Sequence, residues 1–213
     1  MEFLDEAIEA YVERYTTEEN KVLKELNRET YSRVLIPRML AGHLQGRVIS
    51  MFSHMINPRQ VLEIGTYTGY SALCWAEGLQ DKGQVHTIDV NEELEEMVAR
   101  YINKAGQTSN VVTYLGNAVD IIPSIDQTFD VVYIDADKEN YSNYYDLVID
   151  KIRTGGYIIA DNVLWSGKVV EAEESQDEDT QALVRYCEKI QSDSRVINVL
   201  FPVRDGLLVA RKL

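Results

Sequence analysis

Residues 58–213 read as a doubly wound α/β sheet, mostly parallel, closed by an antiparallel C-terminal hairpin strand. Five short apolar runs, beginning at residues 61, 85, 111, 130 and 157, alternate with stretches of helical character. The fourth run, Val131-Val132-Tyr133-Ile134, is apolar without a break, as strands covered on both faces are. Finally, RVINVLFPV and GLLVARK are separated only by Arg204-Asp205-Gly206, a turn signal that makes them a hairpin.

In chain order, residues 3–30 predict two helices, and RMLAGHLQGRVISMFSHMI a third, entered after Pro37. VLEI (61–64) is the first strand and SALCWAEGL the helix behind it; VHTID (85–89) is the second strand. The acidic start of NEELEEMVARYINKAG suits a helix N-terminus, where the backbone dipole favours negative charge, and Gly106 suits its stop. VVTYLG (111–116), DVVYID (130–135) and YIIAD (157–161) supply the other parallel strands. The expected organisation is a single domain, 1–213, with 1–57 as an N-terminal helical cap and 58–213 as the sheet core. A chain of 213 residues with 45% hydrophobic content supports one buried core and is short for two.

Composition excludes several functions. A net charge of −14 opposes nucleic-acid binding through an extended basic surface, although a local basic patch stays compatible with it. Cys74 and Cys187, the two cysteines, can build neither a disulfide framework nor a four-thiolate zinc site, so a reduced cytoplasmic protein is expected. The stretch MEFLDEAIEAYVERY has acids where a secretion signal carries bases, and no apolar run reaches membrane-spanning length. EAEESQDED (171–179), with six acids in nine positions, reads as a solvated loop, placed where a lid over a site would sit.

The chemistry gathers at strand ends. In open parallel sheets ligands bind beyond the carboxyl ends of the strands. That rim is populated here by Glu63, Gly65, Asp89, Gly116, Asn117, Asp135, Asp161 and Asn162. After VLEI the chain turns through Gly65-Thr-Tyr-Thr-Gly69 into a helix, which brings backbone N–H groups toward a ligand. Tyr67 stands where a dinucleotide fingerprint needs glycine, which argues against a bound pyrophosphate. Asp89 ends the next strand, in position to accept the two hydroxyls of a ribose. Together they favour an adenosine ligand over a turn that is merely structural. Asp135 ends one further strand and Asp161-Asn162 another, giving two carboxylates and an amide, hard oxygen donors suited to magnesium. Taken singly, either aspartate could simply open a turn.

The turn VLEIGTYTGYSALCW with Asp89 resembles class I S-adenosylmethionine-dependent methyltransferases. That resemblance puts Glu63 near the methionine part of the cofactor and Asp89 on its ribose. DADKENY together with ADNVLWSGKV is similar to the magnesium-dependent O-methyltransferases of the catechol and caffeoyl-coenzyme A type, and the likeness runs from about residue 35 to the end. It implies a Rossmann-like methyltransferase sheet, Asp135, Asp161 and Asn162 as metal ligands, and Lys138 as the base that deprotonates the reacting hydroxyl. It also implies cofactor contacts from Ala41, Gly65, Thr66, Ser71, Asp89 and Ala118, with Asp135 and Asp137 on the cofactor side as well. A free lysine, with a pKa of about 10.4, is mostly charged at neutral pH, so a basic role requires a polarised partner. Without the metal motif, Lys138 would read as a surface lysine past a strand. The animal catechol enzyme has a glutamate six residues before its closing Asp-Gly, and Val199 occupies that place here, so the fine positioning of the second hydroxyl does not carry over. Met39 and Trp165 are candidate pocket walls or plain core.

The expected function is therefore methyl transfer from S-adenosylmethionine, with Mg2+, to a hydroxyl of a vicinal dihydroxy phenol. The alternative is the same chemistry on a hydroxylated uridine of transfer RNA, which the acidic composition disfavours. A non-catalytic cofactor-binding protein would lack a metal ligand or the base, and neither is missing. Relatives from bacteria and plants are commonly dimers, so a homodimer is implied.

Overall fold

The computed structural model describes residues 5–213. Seven strands form one sheet: β1 (Gln60–Ile64), β2 (Gln84–Asp89), β3 (Val111–Leu115), β4 (Phe129–Ile134), β5 (Ile152–Asp161), β6 (Val196–Phe201) and β7 (Leu207–Lys212), in the order β3-β2-β1-β4-β5-β7-β6. β2 and β3 pair in parallel, as do β4 and β5, while β7 runs antiparallel to both β5 and β6. This is the mostly parallel, doubly wound class with its closing hairpin that the sequence predicts.

By its internal packing the chain divides into two compact units, one holding residues 5–61 and 65–117, the other residues 62–64 and 118–213. The first carries α1 (Glu6–Arg14), α2 (Lys21–Arg33), α3 (Gly42–Ile56), α4 (Tyr70–Ala76) and α5 (Glu95–Lys104). The start expected for the first helix at residue 3 lies outside the described residues. Asp5 and Asn20 cap α1 and α2 by accepting backbone N–H groups of the first turn. The third helix starts later than expected. Ile36 takes a left-handed φ of 55° before Pro37, residues Pro37–Met39 make a separate 3-10 turn, and α3 opens only at Gly42. Leu40, extended with ψ of 132°, ends that turn and separates it from α3. Every residue of α4 is buried, and α3 packs on it closely: a side chain at Gly78, just past α4, would meet the backbone of Ser53 and His54 at 2.3 Å. Glu29 of α2 takes two hydrogen bonds from Arg100 of α5 (2.8 and 2.9 Å) and one from the Tyr101 hydroxyl (2.7 Å).

The second unit is built on β4, where Val131, Val132, Tyr133 and Ile134 have no exposed surface, as the unbroken apolar run requires. Around it pack α6 (Ala118–Ile121), α7 (Tyr141–Val148) and α8 (Glu178–Ser192). Tyr141, Tyr145 and Tyr186 meet edge-on between α7 and α8. The acidic stretch 171–179 is not one loop. Glu173–Ser175 form a 3-10 turn, Asp177 caps α8, and Glu178 and Asp179 are already helical, because acids are stabilised at a helix N-terminus. Asp177 also pairs with Lys168 at 2.6 Å. β6 lies at the sheet edge, so its apolar residues Ile197, Val199 and Phe201 stay exposed. Among the described residues no helix is long and apolar enough to cross a membrane.

Candidate active site

Beyond the carboxyl end of β5, the second unit assembles a charged cluster. Asp161, the last residue of β5, is buried; its Oδ2 accepts the Tyr133 hydroxyl (2.8 Å) and its Oδ1 the backbone N–H of Asn162 (2.7 Å). Lys138 opens a 3-10 turn after β4 and is only 7% exposed, which overturns the surface-lysine reading. Its Nζ donates to Asn162 Oδ1 (2.9 Å) and to the Tyr141 hydroxyl (2.7 Å), and lies 3.6 Å from Asp135 Oδ1. The Tyr141 hydroxyl in turn donates to the Asp161 carbonyl (3.0 Å). One nitrogen therefore ties Asp135, Asn162 and, through Tyr141, Asp161 into a single group.

The electrostatics are those of a site short of positive charge. Burial, then the neighbouring charge of Asp161, pushes the Asp135 carboxyl well above the usual carboxylate range, against the opposing pull of Lys138 and Arg204. Asp205 is also raised, chiefly by burial and further by Asp161. Burial and the charges of Asp135 and Asp161 hold the Tyr141 phenol far above its ordinary value, so it stays neutral. Two carboxylates and an amide oxygen, with excess negative charge beside them, fit a small hard cation. Among the described residues no group of three His, Cys, Asp or Glu side chains is arranged for a metal; the donor set reaches three only through the Asn162 amide.

The loop holding this cluster is strained. Asn162, Trp165 and Ser166 have φ of 59°, 45° and 54°, in the left-handed region that side chains disfavour. The β6–β7 turn keeps them there: Asp205 accepts Leu164 N–H at its carbonyl (2.9 Å) and Ser166 N–H at Oδ1 (2.6 Å). Gly206 makes the approach feasible, since a Cβ there would stand 2.5 Å from Leu164 Cγ. The Trp165 ring lies 5.4 Å from Lys138 Nζ, as a wall of this cluster, while Met39 belongs to the other unit and is exposed. Asp137 points elsewhere: it is exposed, and its carboxylate accepts the Tyr144 hydroxyl (2.5 Å) and the Asn140 amide. Val199 sits on the exposed edge strand opposite Val209. Glu63 ends buried near the close of β1, and Ala118, also buried, opens α6.

In the other unit, Gly65 (φ 105°) and Gly69 (φ 86°) turn the chain from β1 into α4. Asp89 closes the turn, its Oδ2 accepting Tyr67 N–H (2.6 Å) and its Oδ1 Asn91 N–H (2.9 Å). Each oxygen retains acceptor capacity for a further donor. Thr66 is buried with its hydroxyl 2.6 Å from that of Thr87, Ser71 is buried in the first turn of α4, and Ala41 precedes α3.

Residue patterns alone leave Tyr133, Tyr141 and Asp205 without roles. Two signals are present in the chain: Tyr133 is two residues before Asp135, on the same strand face, and Tyr141 is three after Lys138. Nothing local to Asp205 announces its hold on residues 164–166, which is a tertiary contact.

A family model described as O-methyltransferase matches residues 13–213. The chain belongs to the O-methyltransferase family. It is 32% identical over 183 residues to a caffeoyl-CoA O-methyltransferase of Nicotiana tabacum, covering 79% of this chain and 75% of that one. Against the caffeoyl-CoA O-methyltransferase of Petroselinum crispum it is 32% identical over 209 residues, 92% of this chain and 85% of the relative. Among solved structures, an O-methyltransferase from Bacillus cereus in complex with SAH superposes with a TM-score of 0.89 at 27% identity, covering 97% of each chain. The SAH-bound methyltransferase PaMTH1 of Podospora anserina gives 0.89 at 26% identity, over 97% of this chain and 94% of that one. An O-methyltransferase of this fold is an enzyme, and the reading as a non-catalytic binding protein is set aside.

Proposed function

We propose that this O-methyltransferase transfers the methyl group of S-adenosylmethionine to one hydroxyl of a vicinal dihydroxy phenol, with magnesium held by Asp135, Asp161 and Asn162. The cluster of those three residues around buried Lys138 is the observation that carries the reading. Two further facts support it: the caffeoyl group named in the plant relatives bears adjacent phenolic hydroxyls, and both solved relatives above contain SAH, the demethylated donor.

When bound, the cation would acidify a phenolic hydroxyl and fix the vicinal oxygens, while the sulfonium supplies an electrophilic methyl. The chain's own residues do the rest. The glycine turn at 65–69 brings the start of α4 toward the donor, and Asp89, already oriented by two backbone hydrogen bonds, receives the ribose hydroxyls. Tyr133 and the Asn162 N–H hold the Asp161 carboxylate in place, and each oxygen keeps acceptor capacity for a cation. Lys138 Nζ, positioned by Tyr141 and Asn162, takes the phenolic proton as the oxygen attacks, entering the step as the neutral amine and leaving it as the ammonium. Trp165 offers a flat wall beside that nitrogen, against which an aromatic ring stacks.

The test is methyl transfer from labelled S-adenosylmethionine to catechol and caffeate, with and without chelator, and separately to total transfer RNA. Label should enter the catechols in a metal-dependent way. Label in transfer RNA alone, or chelator-insensitive turnover, overturns the reading.

A further inference from the structure

The β6–β7 turn carries a charge that the reaction above does not use. Arg204 stands at its tip with φ of 50°, a conformation glycine adopts freely and other residues resist. Its side chain is exposed, and among the described residues no hydrogen bond or salt bridge holds the guanidinium. Glycine would take this conformation without strain, whereas arginine adds a charged side chain at the tip of the turn. A strained residue is informative in this direction, from the observed outlier to a function.

The position of the turn says where that side chain acts. β7 pairs with β5 so that Leu207 stands opposite Asp161. The Asp205 carbonyl and carboxylate hold Leu164 and Ser166. Arg204 therefore hangs at the carboxyl end of β5, above the residues that follow Asn162. In a chain with 35 acidic and 21 basic residues, an exposed cation without an ion pair at that strand end is open to an incoming anion.

We propose that Arg204 is a specificity-determining residue whose guanidinium receives a carboxylate carried by the phenolic substrate. Guanidinium and carboxylate match in a planar, two-bond geometry, which a lysine in the same place reproduces only as a point charge. The inference rests on the phenolic reading above and narrows it to phenols with an acidic side arm.

Catechol, caffeate and dopamine share the reacting hydroxyls and differ in carrying no charge, a carboxylate or an ammonium. With the parent enzyme, kcat/KM should favour caffeate over catechol by about tenfold, the scale of a charge-assisted contact. Arg204→Gln should bring that ratio to near one, with the loss in KM for caffeate and little in kcat. Arg204→Lys should keep part of the preference, and Arg204→Glu should turn it toward dopamine. Titration calorimetry of caffeate, with magnesium and S-adenosylhomocysteine present, should show the same loss of affinity in Arg204→Gln. An unchanged caffeate-to-catechol ratio in Arg204→Gln overturns the assignment of Arg204 alone. Loss of transfer RNA methylation in that variant, with the phenol ratio unmoved, would make the arginine a phosphate contact, and also overturns it. A parent enzyme that methylates none of the three phenols overturns the phenolic reading, and the subsite with it.

Discussion

The turn after β1 and the loop after β5 both present polar atoms at a strand end, yet they are made in opposite ways. At residues 65–69 the left-handed positions are Gly65, Tyr67 and Gly69, and most of the turn's N–H groups go into its own frame, from Gly65 and Thr66 to Ile88 and from Tyr67 to Asp89. At residues 162–166 the left-handed positions are Asn162, Trp165 and Ser166, and what the loop offers is side chains. The first is held from the neighbouring strand β2, by the Ile88 carbonyl, Thr87 and Asp89. The second holds its shape only because Asp205 and Gly206 clamp it from another strand pair. A turn beside its own strand pair is framed by near neighbours, whereas a cluster of like charges needs a frame brought from farther along the chain.

If the two regions are as independent as their construction suggests, substitutions should separate them. Asp161→Ala should abolish turnover, while calorimetry should still find S-adenosylhomocysteine binding near the parent value; loss of both would mean that the two regions are not separable. Next, Lys138→Ala should lower kcat by roughly 10²–10⁴, the usual contribution of a general base, with a smaller change in KM for catechol. Near-normal turnover in that variant would remove Lys138 from the proton transfer.

The converse substitution addresses the backbone-built region. Asp89→Ala removes the carboxylate that accepts Tyr67 and Asn91 N–H groups, and should weaken cofactor affinity by about 1.5–3 kcal/mol. Magnesium binding, followed separately, should stay unchanged. Unaltered cofactor affinity would sink the ribose assignment.

The mildest consequence is for stability, in the unit that carries the glycine turn. Hydrogen bonds from Arg100, then from Tyr101, hold the Glu29 carboxyl at about 2, below its ordinary 4.5. Because the folded value is depressed, the stabilisation is fully present above pH 4.5 and is lost as pH falls toward 2. With Arg100 half-exposed to solvent, the gain should be under about 1 kcal/mol. Urea midpoints of parent and Glu29→Gln should differ at neutral pH and converge in acid; a constant difference would place the effect in packing.

Much of the site is legible in the sequence. Asp135, Asp161, Asn162 and Asp89 are readable because strand ends are readable: apolar runs stop where the chain meets water or ligand, and a polar residue at that boundary is conspicuous. Lys138 can be named from its motif. Its burial cannot, since residues two or three past a strand are usually solvated, and only Tyr141 and Asn162 closing over it make the position interior. The acidic stretch 171–179 is half legible for a related reason, as charge composition alone does not separate a solvated loop from the first turn of a helix. Local rules also miss the delay of α3, where Pro37 and Gly42 interrupt an otherwise continuous apolar pattern.

The alternation of strands and helices, the closing hairpin and the residue types at each strand end follow from the chain alone, because hydrophobic period and turn chemistry act over a few residues. Other features do not. That Tyr133 and Tyr141 steady Asp161 and Lys138, that Asp205 holds residues 164–166 in a conformation they disfavour, and that Arg204 hangs beside the cluster unpaired are outcomes of the assembled fold. Those arrangements depend on contacts between segments far apart in the chain, and the free energy that fixes them comes from the packing of β5 against β7, which no local pattern contains.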